Sequence, residues 1–166
     1  MCIRDREMLE RNYIKDRPNF YPDNAIPRKY RAYPSDYTHT GYDRGHARSH
    51  ASTAWSTSAI YETYSMINIW PQASVVNREL WIKAEKYTRL VARKLGHVDV
   101  LNIADLGKSP ERIGKNRVAV PDGFYKVLYN REKNFERCFY YKNDKKANKS
   151  GDKMKAHVIS CDKVYY

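Results

Sequence analysis

Asn77-Arg78-Glu79-Leu80-Trp81-Ile82-Lys83-Ala84-Glu85-Lys86-Tyr87-Thr88-Arg89-Leu90-Val91-Ala92-Arg93-Lys94-Leu95-Gly96 is the longest periodic stretch of the chain. Its apolar residues Leu80, Trp81, Ala84, Tyr87, Val91 and Leu95 recur at the spacing that lines one face of a helix. Gly96 suits the position just past a helix C-terminus, and Asn77 suits the N-terminal cap. Around this helix lie short strand-like segments. Residues 61–70 read as a strand ended by Pro71, and 98–103, 117–120, 124–129, 137–141 and 156–160 as five more. Pro121-Asp122-Gly123 supplies a turn between two of them. Strands around one long helix, without regular βαβ alternation, predict an α+β fold: a mixed, mainly antiparallel sheet packed with a long helix.

Outside these elements the chain is polar. Residues 7–40 carry Pro18, Pro22, Pro27 and Pro34 and are expected to be extended segments and turns. Residues 142–155 are rich in Lys, Asn and Gly and read as an exposed loop that could touch phosphate, with a merely solvated loop the plainer reading. A chain of 166 residues, 42% hydrophobic, is long enough for one domain with a sizeable core. Its 31 Lys and Arg against 19 Asp and Glu give a formal charge of +12, which attracts polyanions: nucleic acid, acidic polysaccharide or an anionic membrane surface. Fifteen tyrosines offer flat stacking surface with a polar tip. Cys2, Cys138 and Cys161 are too few and too scattered for a zinc site. Cys138 and Cys161 are open to pairing, with buried free thiols the plainer reading. No apolar run has transmembrane length, so membrane insertion is not expected.

The densest polar cluster is Tyr42-Asp43-Arg44-Gly45-His46, followed by Arg48 and His50. An imidazole can take a proton from water near neutral pH, and flanking arginines suit phosphate. Asn68, Pro71-Gln72, Asn77 and Glu85 follow in order. Phosphodiester hydrolysis needs a base, charge at the phosphorane and help for the leaving oxygen. A Mg²⁺-class ion on one Asn carbonyl and several waters meets the last two needs. On an ideal helix Glu85 stands about 12 Å along from Asn77, which favours a hold on the ion through water rather than directly. The competing reading of Glu85 is a surface pair with Arg89. His50 reads as a loop histidine.

The run Asp43-Arg44-Gly45-His46, then Asn68-Ile69-Trp70-Pro71-Gln72, then Asn77-Arg78-Glu79-Leu80-Trp81 with Glu85, resembles the DNA/RNA non-specific endonucleases of the ββα-metal (His-Me finger) superfamily. Similarity extends from about residue 17 to 129. The resemblance implies that His46 is the general base, Asn77 the direct metal ligand and Glu85 the residue that positions metal-bound water. It also implies that Arg44 stands beside the base, Asn68 supports the site and Arg89 lies near the phosphate. Arg17, in Arg17-Pro18-Asn19-Phe20-Tyr21-Pro22-Asp23, matches an upstream arginine that stabilises the transition state. Departures are Ser49, where many members have Pro, and Asn102-Ile103-Ala104, where many have Gly.

These matches imply an enzyme that cuts DNA and RNA with Mg²⁺ or Mn²⁺ and leaves 5′-phosphates. The alternative is a non-catalytic basic nucleic-acid-binding module. An inhibitor or immunity protein is an expected partner, in keeping with a scavenging, uptake or toxin nuclease. Residues 7–166 are expected to form a single nuclease domain, shortened at one or both ends. Residues 1–6 are expected to be artefactual or disordered. A secreted or periplasmic bacterial location is expected, since a general nuclease endangers its own cell.

Overall fold

A computed structural model of the chain describes residues 2–10 and 13–164. Five antiparallel strands form the main sheet: β1 (Cys2–Asp5), β4 (His97–Asp105), β7 (Gly123–Asn130), β8 (Phe135–Lys142) and β9 (Val158–Ile159), in that order across the sheet. Apart stand two ribbons. One pairs β2 (Tyr42–His46) with β3 (Ile69–Ala73), the other β5 (Arg112–Ile113) with β6 (Val118–Ala119). Helix α1 (Arg6–Glu10) follows β1, α2 (Thr57–Thr63) lies between β2 and β3, and α3 (Trp81–Leu95) precedes β4. The α+β class and the mainly antiparallel sheet agree with the reading of the sequence.

The core forms where α3 lies on the sheet. Trp81, Ala84, Val91 and Ala92 from the helix meet Val98, Val100, Phe124, Leu128, Phe139 and Tyr141 from the strands, all buried. This is the apolar face that the helical periodicity picked out. Gly96 ends the helix at φ +95°, where a side chain would be strained. No helix among the described residues is long and apolar enough to cross a membrane.

Several local expectations are corrected. Residues 61–70 are not a strand: Ser56 caps α2 by accepting from the Ala59 amide at 3.4 Å, and the strand begins only at Ile69. Pro71 lies inside β3 opposite Arg44 rather than ending a strand, which a two-stranded ribbon tolerates because a proline there need not donate to a second neighbour. Residues 118–119 and 123–130 do not pair with each other. The first belongs to the small ribbon and the second to the main sheet. Residues 156–160 shorten to β9, because a 3-10 turn occupies Met154–His157. Within residues 7–40, 3-10 turns at Arg28–Tyr30 and Pro34–Tyr37 join the expected extended segments. Residues 2–5, part of the stretch expected to be artefactual or disordered, run along the otherwise open edge of β4, whose unpaired backbone groups accept another strand.

Cys138 and Cys161 are joined in a disulfide, not left as free thiols. The register of β8 and β9 sets Cys138 opposite Ile159, which brings the two cysteines within reach. A bridge over a loop of this length typically stabilises a fold by about 2–4 kcal/mol.

Asn77 is not a cap. The helical run begins at Ser74, and a π turn occupies Val76–Leu80, closed by a hydrogen bond from the Trp81 amide to the Val76 carbonyl. A π turn carries one surplus residue. In a regular α-helix eight residues leave two side chains about 80° apart around the axis. The surplus residue brings Asn77 and Glu85 to within about 20° of each other, two turns apart on one face.

Candidate active site

Strand β2 supplies the signature residues and β3 holds them in place. Gly45 faces Trp70 in the ribbon, and a β-carbon on Gly45 would land on the buried Gln72 side chain. Only glycine permits that approach. His46 ends the strand, and the chain beyond it is fixed by Asn68. The Asn68 side-chain oxygen accepts from the Arg48 amide at 2.8 Å, and its Nδ2 donates to the carbonyls of Arg48 and Thr63. Asn68 thus spends its amide on backbone and acts as a positioning residue.

The helix is tied to this ribbon at two points. Near the start of β2, Asp43 accepts from Asn77 Nδ2 at 2.9 Å, from Ser74 Oγ at 3.0 Å, and from Arg78 through two nitrogens at 2.8 Å. Burial alone would raise the Asp43 carboxyl. The hydrogen bonds from Arg78, Asn77 and Ser74 outweigh it and hold the group below the ordinary carboxylate range. Just past the strand, the buried Ser49 donates to Glu85 Oε2 at 3.0 Å. His46 falls between these two clamps along the chain, as the stretch between Asn77 and Glu85 does on the helix.

The imidazole of His46 lies against Phe20, 5.5 Å between ring centres, and edge-on to Tyr64 at 5.0 Å. Phe20 also lines a cleft with Tyr42, Asp43, Arg44, Asn77 and Arg78, so the ring that His46 packs against forms part of the wall that Asn77 shares. Nε2 of His46 is buried and has no hydrogen-bond partner among the described residues. Burial, then the fields of His50 and Arg17, push its pKa down to about 4. The ring is therefore neutral at neutral pH, with a lone pair available.

A folded-state value below the ordinary 6.5 means that protonation favours the unfolded chain. The neutral ring contributes stability in full above pH 6.5, and that contribution is lost as pH falls towards 4. An NMR titration of the His46 ring is expected to show no protonation near pH 6.5; a midpoint there would contradict the buried setting.

Arg17 is an exposed electrostatic neighbour of His46, His50 and Tyr64. Arg89 lies in the field of Glu85, and its Nη1 is buried without a partner among the described residues. Burial lowers the Arg89 pKa, partly offset by Glu85. Arg44 is committed differently: its Nε and Nη2 donate to the Pro34 carbonyl, and its guanidinium stacks over Phe20 at 5.4 Å. It braces the cleft wall.

Some contributors were not read from the sequence. His50, expected to be a surface or loop histidine, starts a 3-10 turn and is half-buried, with Nδ1 3.4 Å from the Tyr64 hydroxyl and Nε2 shut away from solvent. Asn102 Nδ2 donates to the carbonyl of Ala47, next to His46, at 2.7 Å, while its oxygen accepts from Lys126 Nζ at 2.6 Å. Lys126 is buried and sits 4.4 Å above the Trp81 ring. This relay joins the central sheet to the residue after the base. Its one trace in the sequence is a lysine inside the apolar run Phe124–Leu128, where a buried charge demands a partner.

The family model for DNA/RNA non-specific endonucleases matches residues 5–163. The chain belongs to that family. Among its relatives are mitochondrial endonuclease G of Bos taurus and of Homo sapiens, each 37% identical over 121 residues, covering 66% of this chain and 40% of the relative. The mitochondrial nuclease EXOG of Danio rerio is 35% identical over 119 residues, 66% of this chain and 35% of the relative. The chain thus spans about two fifths of the length of these curated relatives. A solved EndoG/EndoGI complex, described as showing the mechanism of EndoG inhibition, superimposes with a TM-score of 0.87 at 25% identity, covering 96% of this chain and 71% of that one. The expectation of a secreted or periplasmic bacterial protein is corrected, because these endonuclease-family relatives are mitochondrial.

Nucleases of this family depend on a metal ion. Among the described residues no group of three or more His, Cys, Asp and Glu gathers to hold one. What the cleft does offer is oxygen. Asn77 gives its Nδ2 to Asp43, which turns its carbonyl oxygen the other way, and Glu85 stands on the same helix face. Such a sparse oxygen set fits a hard divalent ion that keeps most of its waters.

Proposed function

We propose that this chain hydrolyses phosphodiester bonds of DNA and RNA in a metal-dependent reaction, with His46 as general base and 5′-phosphate ends as product. The observation that carries the reading is the largely buried imidazole of His46, held neutral beside Arg17. Its nitrogen other than the sealed-off Nε2 takes a proton from water, and the resulting hydroxide attacks phosphorus in line. Arg17 and Arg89 supply positive charge where the phosphorane gathers negative charge. Asn68 and Asn102 hold the backbone just after the base, at Arg48 and Ala47. Mg²⁺ or Mn²⁺, bound by the Asn77 carbonyl and by Glu85 through water, would supply charge at the phosphate and at the departing 3′ oxygen. Because these groups address phosphate rather than base edges, little sequence preference is expected.

The solved neighbour, EndoG in complex with EndoGI, supports a protein inhibitor as a further partner. Incubation of supercoiled plasmid and of RNA with Mg²⁺ or with EDTA tests the reading. Both substrates are expected to be cut in Mg²⁺ and left intact in EDTA, with ends that ligate without prior phosphorylation. Retarded but uncut plasmid under both conditions would reassign the chain as a binding module.

A further inference from the structure

The Lys-rich stretch between β8 and β9 is fixed in place beside the cleft. Asn143 anchors its start: its side-chain oxygen accepts from the Ala73 amide at 2.7 Å, and its Nδ2 donates to the carbonyls of Pro71 and Pro121. Ala73 directly precedes the helical run that carries Asn77. Asp152 anchors the far end through Lys83 at 3.0 Å and His157 at 2.6 Å. Ala147 between these points and Met154 just beyond them pack on the main core, and the Cys138–Cys161 bond closes the whole segment into a ring.

This tethered segment carries Lys142, Lys145, Lys146, Lys149, Lys153 and Lys155, all exposed. Two acids cannot neutralise six lysines: Asp152 is taken up by the anchor, and Asp144, which accepts from the Lys146 backbone amide, offsets one at most. Holding six ammonium groups on an ordered ridge costs repulsion, which a polyanion relieves. The ridge also touches the cleft rim at Tyr42 and the helical run just past Asn77. Lys145 Nζ lies 3.7 Å over the Tyr42 ring, and Lys149 pairs with Glu79, two residues past Asn77, at 3.1 Å. That last pair is exposed, so a phosphate can displace it at little cost.

We infer that this ridge is a phosphate-backbone track, which grips nucleic acid flanking the scissile bond on the Asn77 side of the cleft. The inference rests on the nuclease reading and adds where the rest of the strand lies. Each lysine that meets a phosphate releases a counterion, so log affinity for duplex DNA changes by about 0.9 per contact against log salt.

The test uses the full chain with Lys145, Lys146 and Lys149 all changed to Gln, and a control with Arg131, Lys133 and Arg137 all changed to Gln at the opposite end of β8. Binding to a duplex in EDTA and cleavage in Mg²⁺ are measured across a salt series. The expected result is a salt slope lower by about 2–3 and at least about tenfold weaker low-salt binding for the ridge variant alone. Turnover of bis(p-nitrophenyl) phosphate, too small to reach the ridge, is expected to match wild type and reports an intact site. An unchanged slope overturns the inference, and so does an equal fall in the control, which would make net charge the cause. Loss of binding to anionic phospholipid vesicles with an unchanged DNA slope also overturns it and makes the ridge a membrane contact. A wild-type protein that cuts nothing would defeat the nuclease reading, while the binding slopes in EDTA would still decide the track.

Discussion

Replacing His46 with alanine is expected to slow Mg²⁺-dependent cleavage of supercoiled DNA at least about a hundredfold, the usual contribution of a general base. The reason is local. The lost imidazole is largely buried, is kept unprotonated by its surroundings, and its sealed-off Nε2 has no structural hydrogen bond to give up. Its removal should therefore leave duplex binding in EDTA close to wild type, since affinity comes from lysines and arginines elsewhere. Thermal unfolding checks that the hole left beside Phe20 and Tyr64 is tolerated. Equal cutting by the variant and the wild type would remove His46 from the mechanism.

Asn77→Ala is expected to cost at least as much. Changes to groups that only orient a metal ligand cost roughly 10–100-fold, and a direct ligand should exceed that. Raising Mg²⁺ should restore part of the lost rate, because the ion keeps its other oxygen contacts. The variant also takes one donor from Asp43, which Ser74 and Arg78 continue to satisfy, so the helix start should hold. The decisive measurement is the Mg²⁺ concentration for half-maximal rate. An unchanged value in Asn77→Ala would reject the ligand assignment.

The class of fold was legible because its main signal is the apolar face of residues 80–95, and that face does form the core. Pairing was less legible. Residues 61–70 are apolar and aromatic enough for a strand, yet Ser56 offers a cap that starts a helix instead. Pro71 looked like a stop because a proline cannot serve a central strand, whereas this ribbon has one partner on one side. The disulfide depends on strand register, which spacing does not disclose.

In the candidate site, the motif order carried the family; Arg44 and Asn77 line one cleft, His46 packs on its Phe20 wall in the field of Arg17, Asn68 ties down the chain after His46, and Glu85 takes a bond from Ser49 in the field it shares with Arg89. The supporting contacts were hidden. Ser49 to Glu85, Asp43 to Asn77 and Lys126 to Asn102 to Ala47 all join residues far apart in the chain, and no local pattern announces them.

The π turn at Val76–Leu80 has a genetic corollary. Deleting a single codon between Asn77 and Glu85 would let the segment wind as an ordinary α-helix. Seven regular steps sweep about 700°, so the two side chains would still stand about 20° apart on one face. Winding all eight steps regularly, with no residue removed, would instead part them by about 80°. The shared face thus survives loss of the extra residue but not its absorption into a regular coil.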